Sequence, residues 1–163
     1  VFLFAAFMTA LAPPARDFSQ QPALITRGQP IFASIGCAGC LVTTTFRTPA
    51  NPARLDIDGT GAETVRVPAN FAFNPFSDFL VHDMGALGDQ IGNAGDSQAV
   101  TRRIRTQPLW GNRFQNKFLH DGRCGDITCA IRAHDGQAAA ARNAFNALSW
   151  GDQNAVFWYV HSL

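Results

Sequence analysis

Cys37 and Cys40, in the stretch Gly36-Cys37-Ala38-Gly39-Cys40-Leu41, are the residues on which the chemistry of this chain turns. Two thiols two residues apart can anchor a metal ion, cycle as a redox disulfide, or add across the two vinyl groups of a haem. The third use normally asks for a histidine straight after the second cysteine, because that imidazole binds the iron. Here the position is Leu41.

Other residues of the right type follow downstream. His82 and Met84 stand close together in Phe76–Gly85. A methionine on haem iron raises the potential, whereas a core methionine simply fills a gap. His120 lies in Phe118-Leu119-His120-Asp121-Gly122-Arg123, and His134 precedes Asp135-Gly136. At a helix end, an imidazolium such as His134 would favour the negative dipole. His161 reads as a surface residue. For Cys124 and Cys129 a zinc site would need two more ligands at sensible spacing, and none is near. A disulfide closing a short loop is the reading their spacing favours, and it suits an oxidising compartment.

The elements that must position these groups can be read in outline. The chain has 163 residues and is 47% hydrophobic, enough for one domain with a sizeable core. A net charge of +1 gives no electrostatic case for nucleic acid or an anionic membrane. Fourteen phenylalanines against one tyrosine fit a greasy interior, or the walls of a large flat ligand. The apolar run Val1 to Ala12 ends at Pro13-Pro14 and is too short to span a bilayer. It is expected to be a buried helix, followed by a polar linker from Arg16 to Thr26. With no initiator methionine and no basic leader, the chain reads as a fragment or processed part of something longer.

Ile31, Phe32 and Ile35 fall at helical spacing, so a short helix from Arg27 to Ile35 should deliver the cysteines, with Pro30 in its first turn. Leu41 to Asn74 reads as loop with short extended pieces, and Gly85 to Ser97 as a surface loop. Arg102-Arg103-Ile104-Arg105 reads as a solvated basic face, with a haem propionate partner as the sharper alternative. Asp126 is an expected N-cap for a helix running towards His134. Helices over Gln137–Leu148 and Asp152–Leu163 complete the chain.

Taken in order, FMTALAPP, RGQPIFASIGCAGC, FSDFLVHDMG, RTQPLWG, FLHDGR, AIRAHDGQAAAARNAF and the closing YVHSL carry a resemblance. The chain resembles the C-terminal haem domain of the di-haem cytochrome c peroxidase superfamily, in the branch labelled thiol oxidoreductase-like or di-haem peroxidase. The resemblance implies a mainly α, cytochrome c-like fold with long loops and short extended segments, a single domain over 1–163 with 1–26 as leading helix and linker, a periplasmic location, and one covalent haem c. Complete members carry a second, N-terminal haem domain. Residue by residue, Cys37 and Cys40 fall on the haem-attaching cysteines, and His134 on the iron ligand of the opposite face. His120 falls on the block near the haem pocket. His82 and Met84 fall on the block after the attachment site, His82 as a hydrogen-bonding residue and Met84 as an alternative iron ligand. Leu41 departs from the pattern at the proximal ligand, and Cys124 and Cys129 are extra to it.

Three functions compete at this stage. The first is a c-type cytochrome domain for electron transfer, with a redox partner protein or larger electron-transfer complex, and with no nucleic acid and no transmembrane span. The second is part of an active di-haem peroxidase, whose peroxidatic iron usually belongs to the other domain, so this domain alone is not expected to be catalytic. The third is a haem-free structural or interaction subunit, which Leu41 favours.

Overall fold

A computed structural model describes residues 2–52, 54–56, 58–62 and 64–163. In chain order the elements are α1 (Phe2–Ala10), α2 (Pro22–Ser34), β1 (Phe46–Arg47), β2 (Arg54–Asp56), β3 (Thr64–Arg66), β4 (Ala72–Phe73), β5 (Val81–Asp83), α3 (Gln98–Thr101), β6 (Arg103–Arg105), α4 (Ile127–Ala133), α5 (Ala139–Ala147) and α6 (Trp150–His161). Single 3-10 turns occupy Cys37–Gly39, Gly85–Leu87, Asn112–Phe114 and Gly136–Ala138.

The expected mainly α, cytochrome c-like class is corrected by this architecture, which is mixed α and β. Three two-stranded antiparallel ribbons, β1 with β4, β2 with β3 and β5 with β6, lie among the helices. The reason is local. Between α2 and α4 no apolar run recurs at helical spacing for more than one turn. The segments there satisfy part of their backbone by pairing as short ribbons instead, β2 with β3 across one turn and the other two pairs between segments farther apart in the chain.

The chain forms two compact units. The first comprises residues 1–14 and 44–75. It holds α1 and the ribbons β1–β4 and β2–β3, with Asp56 accepting the amides of Asp58, Gly59 and Gly61 in the turn that follows β2. The expectation of a buried leading helix is also corrected. α1 forms, but Leu3, Phe4, Phe7 and Met8 are exposed, while Ala6 is buried.

The second unit comprises residues 15–43 and 76–163 and contains every candidate site residue. Its core is α2 packed on α6. Ile25, Phe32, Phe76, Ile127, Phe145, Val156, Tyr159, Val160 and Leu163 are all buried there. The two helices meet at Gly28, where a β-carbon would lie 2.0 Å from the Ala155 carbonyl oxygen, so only glycine permits this approach. Four residues on, Phe32 meets Tyr159 with ring centroids 5.1 Å apart. Arg27 reaches Asp152 at 2.7 Å across the same pair.

α2 begins earlier than its apolar spacing suggested, because Pro22 supplies a preorganised first turn. Pro30 therefore lies inside the helix. The polar stretch before it is not wholly a linker, since Arg16 is half-buried, bonds Ser162 Oγ at 3.0 Å and lies over the Tyr159 ring. Asp126 caps α4 by accepting the Cys129 amide at 2.8 Å. No helix among the described residues is long and apolar enough to cross a membrane.

Candidate functional site

α2 ends at Ser34, and Gly36, in the left-handed conformation at φ 92°, turns the chain into the 3-10 turn that carries Cys37 and Cys40. Both thiols are free and partly buried. Cys37, Ala38 and Leu41 pack against the α2–α6 core. Burial pushes the Cys37 thiol up to about 11, so at neutral pH it is fully protonated and no activated nucleophile. A β-carbon at Gly36 would stand 3.8 Å from Ala141 Cβ, which sets the cysteine turn beside α5.

The segment 76–83 runs against this turn. The Asp78 amide donates to the Cys40 carbonyl oxygen at 2.8 Å. Ser77, fully buried, donates through Oγ to the Thr106 carbonyl at 2.9 Å and accepts the Phe79 amide at 2.9 Å. The β5–β6 ribbon then fixes His82 opposite Ile104. His82 Nε2 and Asp78 Oδ2 share a hydrogen bond of 2.7 Å, with side-chain exposures of 18% and 12%. One donor atom each of Cys40, Asp78 and His82 lies within 4.8 Å of the others. Burial pushes the Asp78 carboxyl up, but hydrogen bonds from the Leu80 amide, His82 and Thr106 outweigh it and hold the carboxyl below its ordinary range.

His134 stands at the C-terminal cap of α4 and is partly buried. Its Nδ1 lies 2.7 Å from the Ala130 carbonyl oxygen. A carbonyl only accepts, so Nδ1 carries a hydrogen, and Nε2 is the nitrogen left to bind a metal. Arg142 of α5 donates to the His134 carbonyl at 2.8 Å and to Asp135 Oδ1 at 3.1 Å.

This block is stitched to the one carrying His82 and Met84. The Ala86 amide donates to Asp135 Oδ2 at 3.1 Å, and the Asp83 amide to Gln137 Oε1 at 2.8 Å. Gly136, at φ 56°, lets the two strands of chain touch, since a β-carbon there would lie 2.3 Å from the Asp83 carbonyl oxygen. The Ala86 and Gly136 amides, with Arg142, hold the Asp135 carboxyl below its ordinary range.

The structure therefore brings Cys40 and His82 together, and it joins the His82–Met84 segment to the His134 block. Met84 is partly buried, and its amide donates to the Arg102 carbonyl at 3.0 Å. His120 is exposed, on a turn closed by the pairing of Phe118 with Cys124. His161 is partly buried, 5.8 Å from the Phe157 ring and 5.3 Å from that of Trp158. A disulfide joins Cys124 to Cys129 across the start of α4. Arg103 and Arg105 of the basic run are exposed. Sequence reasoning passed over Asp78. Its signal was the D-x-x-x-H spacing to His82 within Phe76–Gly85, which brings carboxylate and imidazole into contact where the ribbon begins.

The profile of a protein family described as "Di-haem oxidoreductase, putative peroxidase" matches residues 3–163. No curated protein and no solved structure matches the chain.

Proposed function

This chain belongs to the di-haem oxidoreductase family, whose cofactor is haem, and on that premise we propose that it is a c-type cytochrome domain carrying one covalent haem on Cys37 and Cys40. The observation that carries the reading is the pair of free thiols on one turn of chain. His134, whose Nδ1 is engaged by the Ala130 carbonyl so that Nε2 is the nitrogen left for a ligand bond, supports it. These donors fit the group: two thiols for the two vinyl substituents and a neutral imidazole for the iron. Bound haem supplies reversible one-electron chemistry, which suits electron transfer to a redox partner protein. A periplasmic setting, where disulfides such as Cys124–Cys129 persist, agrees with it.

The chain's own residues then have distinct tasks. Cys37 and Cys40 would anchor the cofactor, and His134 would offer Nε2 to its iron. The Ala130 carbonyl fixes the tautomer and rotation of the His134 ring, and Arg142 fixes the peptide after it. Leu41 offers no lone pair, and it packs, partly buried, against the apolar core. An apolar leucine at the position of the usual imidazole would favour electron transfer over peroxide chemistry, which needs an acid or base beside an open iron. His82, tied to Asp78, would serve as a hydrogen-bonding residue near the cysteine turn, His120 is exposed and has no such part, and Met84 would be the alternative iron ligand.

Leu41 favours a second reading, a subunit that keeps the fold without haem. Haem staining after denaturing electrophoresis, together with an intact mass, separates the two. The first reading expects a stained band and a chain heavier by one haem. An unmodified mass from cells competent in haem attachment overturns it.

A further inference from the structure

We propose that, while its thiols are free, the chain binds one divalent transition-metal ion of the zinc or cobalt class through Cys40, Asp78 and His82. One donor atom of each lies within 4.8 Å of the others, a span that small side-chain rotations close around a cation with bonds of roughly 2.0–2.3 Å. Thiolate sulfur, imidazole nitrogen and carboxylate oxygen are a donor set that borderline cations accept, and three protein ligands leave a fourth position for water.

The site is built rather than accidental. The backbone of Asp78 is tied to that of Cys40, and Oδ1 of Asp78 accepts the Leu80 amide at 2.9 Å, which fixes the carboxylate. The ribbon β5–β6 fixes His82. Phe76 and Phe79, on either side of Ser77-Asp78, adopt φ of 53° and 58°, a left-handed conformation that bulky residues avoid unless the surroundings impose it. A metal ion bound among the three groups would take Cys40 as its thiolate and release the thiol proton.

This proposal does not rest on haem attachment. A thioether at Cys40 removes the thiolate ligand, so the two occupancies exclude each other, and either can fail without the other.

The test uses the full chain made without haem-attaching machinery, freed of metal and titrated with Co2+ alone. One equivalent should bind, with a near-ultraviolet sulfur-to-cobalt charge-transfer band and four-coordinate visible bands. Zn2+ should displace it and raise the melting temperature of the unsubstituted chain. Cys40→Ser should remove the charge-transfer band, while His82→Gln and Asp78→Asn should each weaken binding about 10-fold or more. His161→Ala should leave binding unchanged. Circular dichroism of each variant separates ligand loss from misfolding, and the melting shift of the unsubstituted chain needs no variant at all. Absence of the band and of the shift overturns the proposal. So does a band that survives His82→Gln but not Cys37→Ser, which would assign the ion to the two cysteines alone.

Discussion

On the proposed reading, His134 would bind the iron and Leu41 would stand where a second imidazole donor is missing. A leucine cannot coordinate, so the haem-loaded chain is expected to be five-coordinate, with His134 as its protein ligand. Leu41→His restores the missing donor at the end of a turn that already holds both cysteines, and the visible spectrum should convert to six-coordinate low spin. His134→Ala should change the spin state in the same measurement. A native spectrum that is already low spin with two nitrogen ligands would refute this account of Leu41. These expectations were open to sequence reasoning because thiols and imidazoles are rare and their spacing is visible. The Asp78–His82 contact was not, because it depends on a ribbon whose partner strand, Arg103–Arg105, lies far along the chain. Nor could spacing reveal that Ala130 fixes the His134 tautomer.

At the level of elements, the α2–α6 crossing decides where the cysteine turn sits. Gly28→Ala replaces a poor helix former by the best one, yet it drives a methyl group onto the Ala155 carbonyl, 2.0 Å away before any relaxation. Overpacking should dominate, and the variant should lose about 3 kcal/mol in urea unfolding. A neutral or stabilised variant would mean that the helices separate at little cost. At α4 the balance is simpler. Asp126→Ala removes the acceptor for the Cys129 amide and should cost about 1 kcal/mol in the same assay. The caps and the apolar helices were legible in the sequence, since each leaves a local signature. The short extended pieces of 41–74 were legible as well, but the start of α2, the pairing of those pieces and the β5–β6 ribbon were not. Pro22 outranked the spacing of Ile31, Phe32 and Ile35, and two- or three-residue strands are too short to display alternation.

Taken as a whole, the haem-free chain should respond to alkali through Cys37. Its folded thiol sits near 11 against an ordinary 9.0 because the turn buries it. Between those values the unfolded chain sheds a proton that the folded chain keeps, so stability is fully present below about 9 and falls as pH rises towards 11. The loss is bounded by about 2–3 kcal/mol. Urea midpoints measured across that window should decline, and Cys37→Ser should flatten the decline. An equally steep decline in the variant would place the effect elsewhere. The same comparison on haem-loaded material should lack the Cys37 contribution, since a thioether does not titrate. Pro13-Pro14 marks one boundary of the two compact units, but that residues 44–75 join the leading segment was beyond sequence reasoning, because it depends on contacts between segments distant in the chain.

The stitching of residues 83–86 to the His134 block makes certain backbone protons into gauges. The Ala86 amide is held by Asp135 Oδ2 and the Asp83 amide by Gln137 Oε1, neither by a neighbouring strand or helix. Their exchange with deuterated solvent therefore times the separation of two stretches of chain rather than the fraying of one. Because Asp135 is held ionised in the fold, the protection of Ala86 is present above the ordinary carboxylate range and is lost on acidification through the lowered value. Read by nuclear magnetic resonance, those two protons would report the positioning of His134 in the absence of any coloured cofactor.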